Sequence, residues 1–405
     1  MNFDQNEEQQ LLAESLKRYL ARDYDFESRK AIVRSEAGHS DAVWRTFADM
    51  GLTAMALPAE HDGFGQGAAE LMPVMEAFGE ALVVEPLAAT VVGARLLDRA
   101  GSEAQRAALL PRVATGELRL AFAHDEEGLT GSAGVALRAR READDWVLDG
   151  RKAVAVHAPL AHHLIVSARV SGEPGDASGL ALFLVEPGAA GLSTDRFATF
   201  DHQAAADLRF DGVRLAADAR LGEGDADAFD AVDEAIDFAT ALACADAVGA
   251  IKYANDATLE YIKTRKQFGV PIGSFQALQH RMVDMVIEWE LARSMAQLAC
   301  TKVDSARRPV AADEAGASAA LSGDEAAPAG TSGSDAAAER RRVVSAAKVR
   351  VSEAARKVAQ ESVQLHGGMG LTEELKISHT FRRLTASTLA FGDVDHHLAR
   401  FTGLR

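Results

Sequence analysis

The run TRKQFGVPIGSFQALQH, residues 264–280, decides how this chain is read. A helix-forming stretch ends there in the basic pair Arg265 and Lys266, breaks at Gly269, Pro271 and Gly273, and restarts at Ser274. Such a break sets two cations beside the free backbone N–H groups of a new helix start, a combination suited to an anion such as a pyrophosphate. A plain helix–loop–helix corner would carry the same letters. A second stretch, QLHGGMGL at 364–371, has glycines at 367, 368 and 370 between two helical runs. Without Cβ atoms a backbone can approach a ligand closely and offer its N–H groups to phosphate oxygens. It is not a dinucleotide fingerprint, because no strand precedes it and the spacing differs. A bare glycine-rich turn is the other reading.

Both stretches lie in a C-terminal part with helical periodicity, its long candidates at 227–265, 276–304, 340–365 and 376–389. One segment interrupts it. Residues 307–339, RRPVAADEAGASAALSGDEAAPAGTSGSDAAAE, hold almost no large apolar side chain, so burial cannot offset their ordering entropy; a flexible insertion is expected. Upstream the texture is different. LRLAFAHDE, VALRARR, WVLDGRKAVAVH, HHLIVSARV, LALFLVEP and ADLRFDGVRL are short apolar or alternating runs separated by turn clusters such as SGEPGDASG, which predicts a compact β domain. Before Leu118 the chain reads as helices, with Leu12, Leu16, Tyr19 and Leu20 at helical spacing, a capping box at Ser102 and Gln105, and Pro111 as a stop. The expected divisions are 1–118, 119–225 and 226–405.

At 405 residues the chain exceeds one typical domain, and 48% hydrophobic with 25% charged residues is an ordinary globular balance. The formal charge of −17 argues against nucleic acid or an anionic membrane surface as the main partner. Cys244 and Cys300 are too few and wrongly spaced for a disulfide framework or a zinc site. The acidic start MNFDQNEEQQ is unlike a signal peptide, and no apolar run reaches membrane-spanning length, so a cytoplasmic protein is expected. His157, His162, His163, His396 and His397 have no carboxylate or Cys at ligand spacing around them, and no metal site is expected.

Taken in order, these stretches resemble the acyl-CoA dehydrogenase family over nearly the whole chain. MGLTAMALPAEHDGFG (50–65) is similar to its opening signature and WVLDGRKAVAVH (146–157) to its middle strand pair. R-x-x-F-G at 265–269, followed by Gln276, and Q-x-x-G-G-x-G at 364–370 resemble its two FAD-binding segments. The subgroup most resembled, through KTRKQFGVPIGSFQALQH and FGDVDHH, is the small subunit of pimeloyl-CoA-type dehydrogenases. The resemblance implies an α+β multi-domain fold: an N-terminal helical domain, a middle β-barrel-like domain and a C-terminal four-helix bundle. It implies FAD, with Arg265 on the pyrophosphate and Phe268, Ile272 and Gln276 along the adenosine end. Gln364, Gly367 and Gly368 would meet the same cofactor from a neighbouring subunit, which implies a homo- or hetero-oligomer. The implied substrate is a bulky, cyclic or dicarboxylyl acyl-CoA, and the implied electron acceptor an electron-transfer flavoprotein.

The family's reaction takes an α-proton with a carboxylate while the β-hydride passes to the flavin, and the base must stand within about 3 Å in a water-poor pocket. Here the chain departs from the pattern. Counting from GGMG, the usual glutamate position reads Phe391; the alternative position on an earlier helix reads Ala239, with Asp237 two residues away. The nearest substitutes are Asp395 and Asp393. If the segment is helical, Asp395 shares a face with Phe391 and Asp393 points away; both would otherwise serve as helix caps or subunit contacts. Val154 and Val156 stand where a flavin-contacting Trp and Thr are usual, and His124 or Asp125 where a Thr-Glu pair is common. The alternatives are a non-catalytic subunit that completes a partner's FAD site, and a flavin oxidase or monooxygenase of the same fold.

Overall fold

The computed structural model describes residues 7–305, position 225 aside, and 333–403. Six helices come first: α1 (Glu7–Asp23), α2 (Phe26–Arg34), α3 (Asp41–Asp49), α4 (Ala68–Ala81), α5 (Leu87–Ala100) and α6 (Glu103–Ala114). Their starts are written in short polar side chains. Asp25 accepts from Ser28 N, Ser40 from Val43 N, and Ser102 and Gln105 close the expected capping box. Pro111 does not stop α6, which continues to Ala114. Leu109, Leu110 and Val113 are buried on either side of it, and their packing outweighs the one hydrogen bond that proline removes.

The middle of the chain forms seven strands: β1 (Leu120–Ala123), β2 (Arg138–Glu142), β3 (Asp145–Val156), β4 (His163–Arg169), β5 (Leu180–Val185), β6 (Leu192–Ala198) and β7 (Ala204–Leu215). They make one sheet in the order β1-β4-β2-β3-β7-β6, with β5 on the other side of β4. Six correspond to the six apolar runs. The seventh, β6, reads LSTDRFA and is exposed along most of its length, so neither face announced it.

The C-terminal part is built on α7 (Phe229–Thr264), α8 (Gln276–Ser305), α9 (Gly333–His366) and α10 (Lys376–Ser387), closed by the short α11 (Val394–Thr402). α9 packs on α7, α8, α10 and α11. α7 also crosses α4 at two glycines. A Cβ on Gly79 would lie 1.8 Å from Asp246 O, and one on Gly249 1.8 Å from Glu76 O, so the two backbones touch where no side chain would fit. Of the expected flexible insertion at 307–339, the part up to 332 lies outside the described residues. The remainder is a correction: α9 begins at Gly333 rather than at Arg340, because Asp335 followed by three alanines is a good helix start and Glu339 pairs with Lys302 of α8 at 2.8 Å.

Candidate functional site

At the end of α7, Arg265 N still bonds Tyr261 O at 2.8 Å, but the Arg265 backbone has turned extended and leads into a small hairpin, β8 (Lys266–Gln267) with β9 (Val270–Pro271). Phe268 and Gly269 make the turn at φ +55° and +84°. The Phe268 ring is 92% exposed. Ile272 N closes the hairpin onto Arg265 O at 2.9 Å, and after a 3-10 turn α8 starts at Gln276, itself exposed. Among the described residues the Arg265 guanidinium makes no hydrogen bond or ion pair, so its charge is open at the surface beside the new helix start.

The second stretch follows α9. Gln364 is exposed on its last turn, and Gly367 bends the chain at φ +61°, a conformation that favours glycine. A Cβ on Gly367 or Gly368 would meet nothing within 4 Å, so this backbone edge faces outward. Tyr261 joins the two stretches. Its ring stacks on His366 at 4.3 Å between centroids and its hydroxyl donates to His366 O at 3.2 Å. Within one chain, both stretches therefore occupy the same corner. Tyr261 and His366 were not singled out in the sequence, although His366 lies inside one quoted stretch and Tyr261 just before the other.

On the sheet, Val154 and Val156 are 46% and 39% exposed on β3, and Val154 sits at φ +49° in a bulge where its N–H donates to Asp207 Oδ1 at 2.8 Å. His124 is buried beneath, with Nδ1 2.9 Å from Ser167 Oγ and Nε2 3.2 Å from Gly131 O. Lys152 is buried with it and donates to His124 O, Ser167 Oγ and Glu126 Oε1. Burial first, and then the Lys152 charge, push the His124 imidazole down to about 3. His124 is a neutral structural post here; Asp125 is exposed.

The segment that holds the expected base is not helical at Phe391. Phe391 and Gly392 turn a corner at φ +57° and +106°, and α11 begins only at Val394. This removes the shared face on which Asp395 was placed. Asp393 is the N-cap of α11 and accepts from His396 N at 2.9 Å. Asp395, in the first turn, is exposed to solvent. In this single chain Asp393 is tied to the helix start and Asp395 is open to solvent. His397 is buried behind the corner, Nδ1 3.2 Å from Ser345 Oγ and Nε2 3.1 Å from Phe391 O.

The other expected position, Ala239, is buried, and Asp237 beside it belongs to an ion cluster between α7, α9 and α11. Arg340 Nε reaches Asp237 at 2.7 Å and Arg400 at 2.5 Å; Arg340, Arg341 and Arg400 also hold Asp233. Ser132, from the loop after β1, donates to Asp233 at 2.9 Å. Burial alone would raise the Asp233 carboxyl, but the three guanidinium groups hold it below the usual range. The cluster went unread in the sequence; its one signal was a pair of acids four residues apart inside an apolar helix.

On α8, Val283, Ile287 and Leu291 are exposed one turn apart, with Phe275 and Val286 beside them. No helix among the described residues is long and apolar enough to cross a membrane. Among those residues no group of three or more His, Cys, Asp or Glu is arranged to hold a metal ion.

Three family models match this chain in succession: the acyl-CoA dehydrogenase N-terminal domain over residues 6–117, the middle domain over 121–213 and the C-terminal domain over 228–400. Among similar proteins, acyl-CoA dehydrogenase FadE12 of Mycobacterium tuberculosis is 29% identical over 386 residues, which cover 93% of this chain and 90% of the relative. A variant of the Tcur3481–Tcur3483 steroid ACAD has a solved structure 29% identical in sequence, with a TM-score of 0.79 over 98% of this chain and 97% of that one. The ChsE4–ChsE5 complex from Mycobacterium tuberculosis is similar in fold, at TM-score 0.83 and 24% identity over 100% of this chain and 98% of that one. With the whole described fold accounted for by these matches, the chain belongs to the acyl-CoA dehydrogenase family, oxidoreductases that act on CH–CH groups.

Proposed function

We propose that this chain is an FAD-dependent acyl-CoA dehydrogenase that introduces an α,β double bond into an acyl-CoA thioester. The observation that carries the reading is the corner where Arg265, a cation without a partner among the described residues, and the outward glycine edge of Gly367 and Gly368 are joined through Tyr261 and His366. That donor set fits a pyrophosphate-bearing cofactor. Arg265 would hold the pyrophosphate, Phe268, Ile272 and Gln276 the adenosine end, and Gln364, Gly367 and Gly368 would meet the same cofactor from the same corner. When bound, FAD supplies the acceptor for the β-hydride. Val154 and Val156 offer the ring an apolar platform but no hydroxyl donor. The acyl group we favour is bulky, cyclic or dicarboxylyl, electrons pass on to an electron-transfer flavoprotein, and the compartment is the cytoplasm.

The exposed apolar stripe on α8 suits a neighbouring subunit, because burial of such a stripe is what stabilises helix-to-helix association. A second reading, in line with the pimeloyl-CoA dehydrogenase small-subunit resemblance, makes this chain the non-catalytic member of a hetero-oligomer. One observation favours it: the carboxylates nearest the two usual base positions are a helix cap (Asp393), solvent-exposed (Asp395) or locked by arginines (Asp233, Asp237). Expression alone, followed by an absorbance spectrum, separates the readings. A yellow protein that bleaches anaerobically with an acyl-CoA supports the first. A soluble colourless protein that takes up flavin only when co-expressed with a second subunit refutes it in favour of the other.

A further inference from the structure

We propose that His396 is the general base of this chain, standing in for the carboxylate that the Phe391 position lacks; the inference rests on the dehydrogenase reading above. His396 follows the corner directly, on the first turn of α11, and is half-buried. Its ring fills a gap made by two glycines from different parts of the fold. A Cβ on Gly392 would lie 2.5 Å from its Cδ2, and one on Gly131, in the loop after β1, 3.1 Å from its Cε1. The imidazole thus stands at the seam between the sheet and the helical bundle, directly beneath the Phe391 corner.

Elimination points to the same group. His397 uses both ring nitrogens, on Ser345 and Phe391 O. Lys348 is buried and donates to Ser387 O. Asp393 caps α11, Asp395 is solvated, and Asp233 and Asp237 are held by arginines. The His396 nitrogens make no hydrogen bond or ion pair among the described residues, so a lone pair is available. The charges around it come from Arg400 and Asp393 of its own helix, with His397 at 5.0 Å and Lys348 of α9 behind that ring; from the sheet side it faces the Gly131 backbone, and the neighbouring Ser132 hydroxyl is turned away to Asp233. Burial first and then Arg400 lower its proton affinity against the pull of Asp393, which favours the neutral ring.

The step balances. The α C–H bond breaks with its proton passing to a ring nitrogen of His396 and its electron pair forming the α,β double bond, while the hydride leaving the β carbon goes to bound FAD. The imidazolium later returns the proton to water. The spacing required of a base, about 3 Å from the α carbon's hydrogen, is met by substrate placement in the seam rather than by a longer side chain.

The test uses the full-length chain loaded with FAD and four probes: butyryl-, octanoyl-, glutaryl- and cyclohexanecarbonyl-CoA. His396→Gln should slow anaerobic bleaching by about 10³-fold, with flavin content and thermal midpoint unchanged. The wild-type rate should fall in acid through one ionisation, lower than that of a free imidazole, and the variant should lack that limb. A readout independent of turnover is carbethoxylation by diethyl pyrocarbonate, mapped by mass spectrometry. His396 should be modified, and should be protected by the thioester that bleaches the wild type. Bleaching retained in His396→Gln, an unchanged acid limb, or a His396 that is unreactive or unprotected would each overturn the assignment. If the variant loses its flavin, the carbethoxylation result decides. Failure of the wild type to bleach with all four thioesters would instead remove the dehydrogenase reading, and this inference with it.

Discussion

Acid should destabilise this protein more steeply than its carboxylates alone would suggest, because several histidines are buried in the neutral state, His379 at about 4 and three others lower still. His124, His157 and His397 are each pushed down to about 3, in every case by burial first; Lys152 adds to it at His124, Arg383 at His157, and His396 and Lys348 at His397. In the unfolded chain each would titrate near 6.5. The unfolded state therefore binds more protons than the native state between about pH 6.5 and 3, and stability falls as pH falls through that window. At pH 5 each histidine costs about 2 kcal/mol relative to pH 7.5, and the three together about 6 kcal/mol. That is comparable with the whole net stability of a typical domain. For 405 residues the unfolding entropy is roughly 0.85 kcal/mol/K, so these three alone should lower the thermal midpoint by about 7 °C between the two pH values. Glu76, Glu85 and Asp304, whose carboxyls are raised by burial, oppose this in the same window; Asp233 and Glu234, held low by arginines, add to the loss only below about pH 4. Differential scanning fluorimetry at constant ionic strength and scan rate reads the effect. His157→Asn isolates one contribution, since asparagine tolerates the φ of +61° found there and does not titrate. The pH-dependent drop should shrink by about 2 °C in that variant. A midpoint that is flat between pH 7.5 and 5, or a full drop retained in His157→Asn, would mean that these histidines are not held neutral in the native state.

Other outcomes can be checked with the same preparations. Arg340→Met leaves Asp233 and Asp237 buried with one guanidinium fewer; removal of one partner from such a cluster should cost about 3–5 kcal/mol by urea unfolding, and a loss under about 1 kcal/mol would show that Arg341 and Arg400 suffice. Arg265→Gln should weaken FAD binding by about tenfold or more while leaving the thermal midpoint of the flavin-free protein unchanged, because the side chain is exposed and unpartnered among the described residues; equal flavin occupancy in both proteins would argue against the pyrophosphate assignment. Gly249→Ala drives a methyl into Glu76 O, and should cost about 1–3 kcal/mol or leave the protein insoluble; a neutral result would mean that the α4–α7 crossing can open.

How far the letters carry this fold depends on the distance over which each feature is written. Periodicity is local, so the helix–sheet–helix order and six of the seven strands could be read from runs of under about a dozen residues. β6 could not, since a strand exposed on both faces has no apolar alternation to detect. The start of α9 was hidden by composition, because the alanines that made 307–339 look unable to fold are also good helix formers once Glu339 has Lys302 to pair with. The Asp233–Arg340 pair spans 107 residues and the Ser132–Asp233 bond 101; no spacing rule connects such positions, and only the packed bundle brings them together. The same holds for the join of the 264–280 and 364–371 stretches, which depends on Tyr261 meeting His366.

The FGDVDHH corner shows where a local rule was sufficient but pointed two ways. An Asp followed three residues later by a free backbone N–H is a helix start, and Asp393 with His396 N satisfies that pattern. If Asp393 is the cap, α11 must begin at Val394, the helical register that linked Asp395 to Phe391 no longer exists, and Asp395 falls on an exposed first turn. His396 then occupies the third helical position, where its ring turns back over Gly392, whose missing Cβ leaves room for it. One capping hydrogen bond therefore fixes the fate of three consecutive ionisable side chains: one is tied to the backbone, one is put into water, and one is placed at the seam with its nitrogens open.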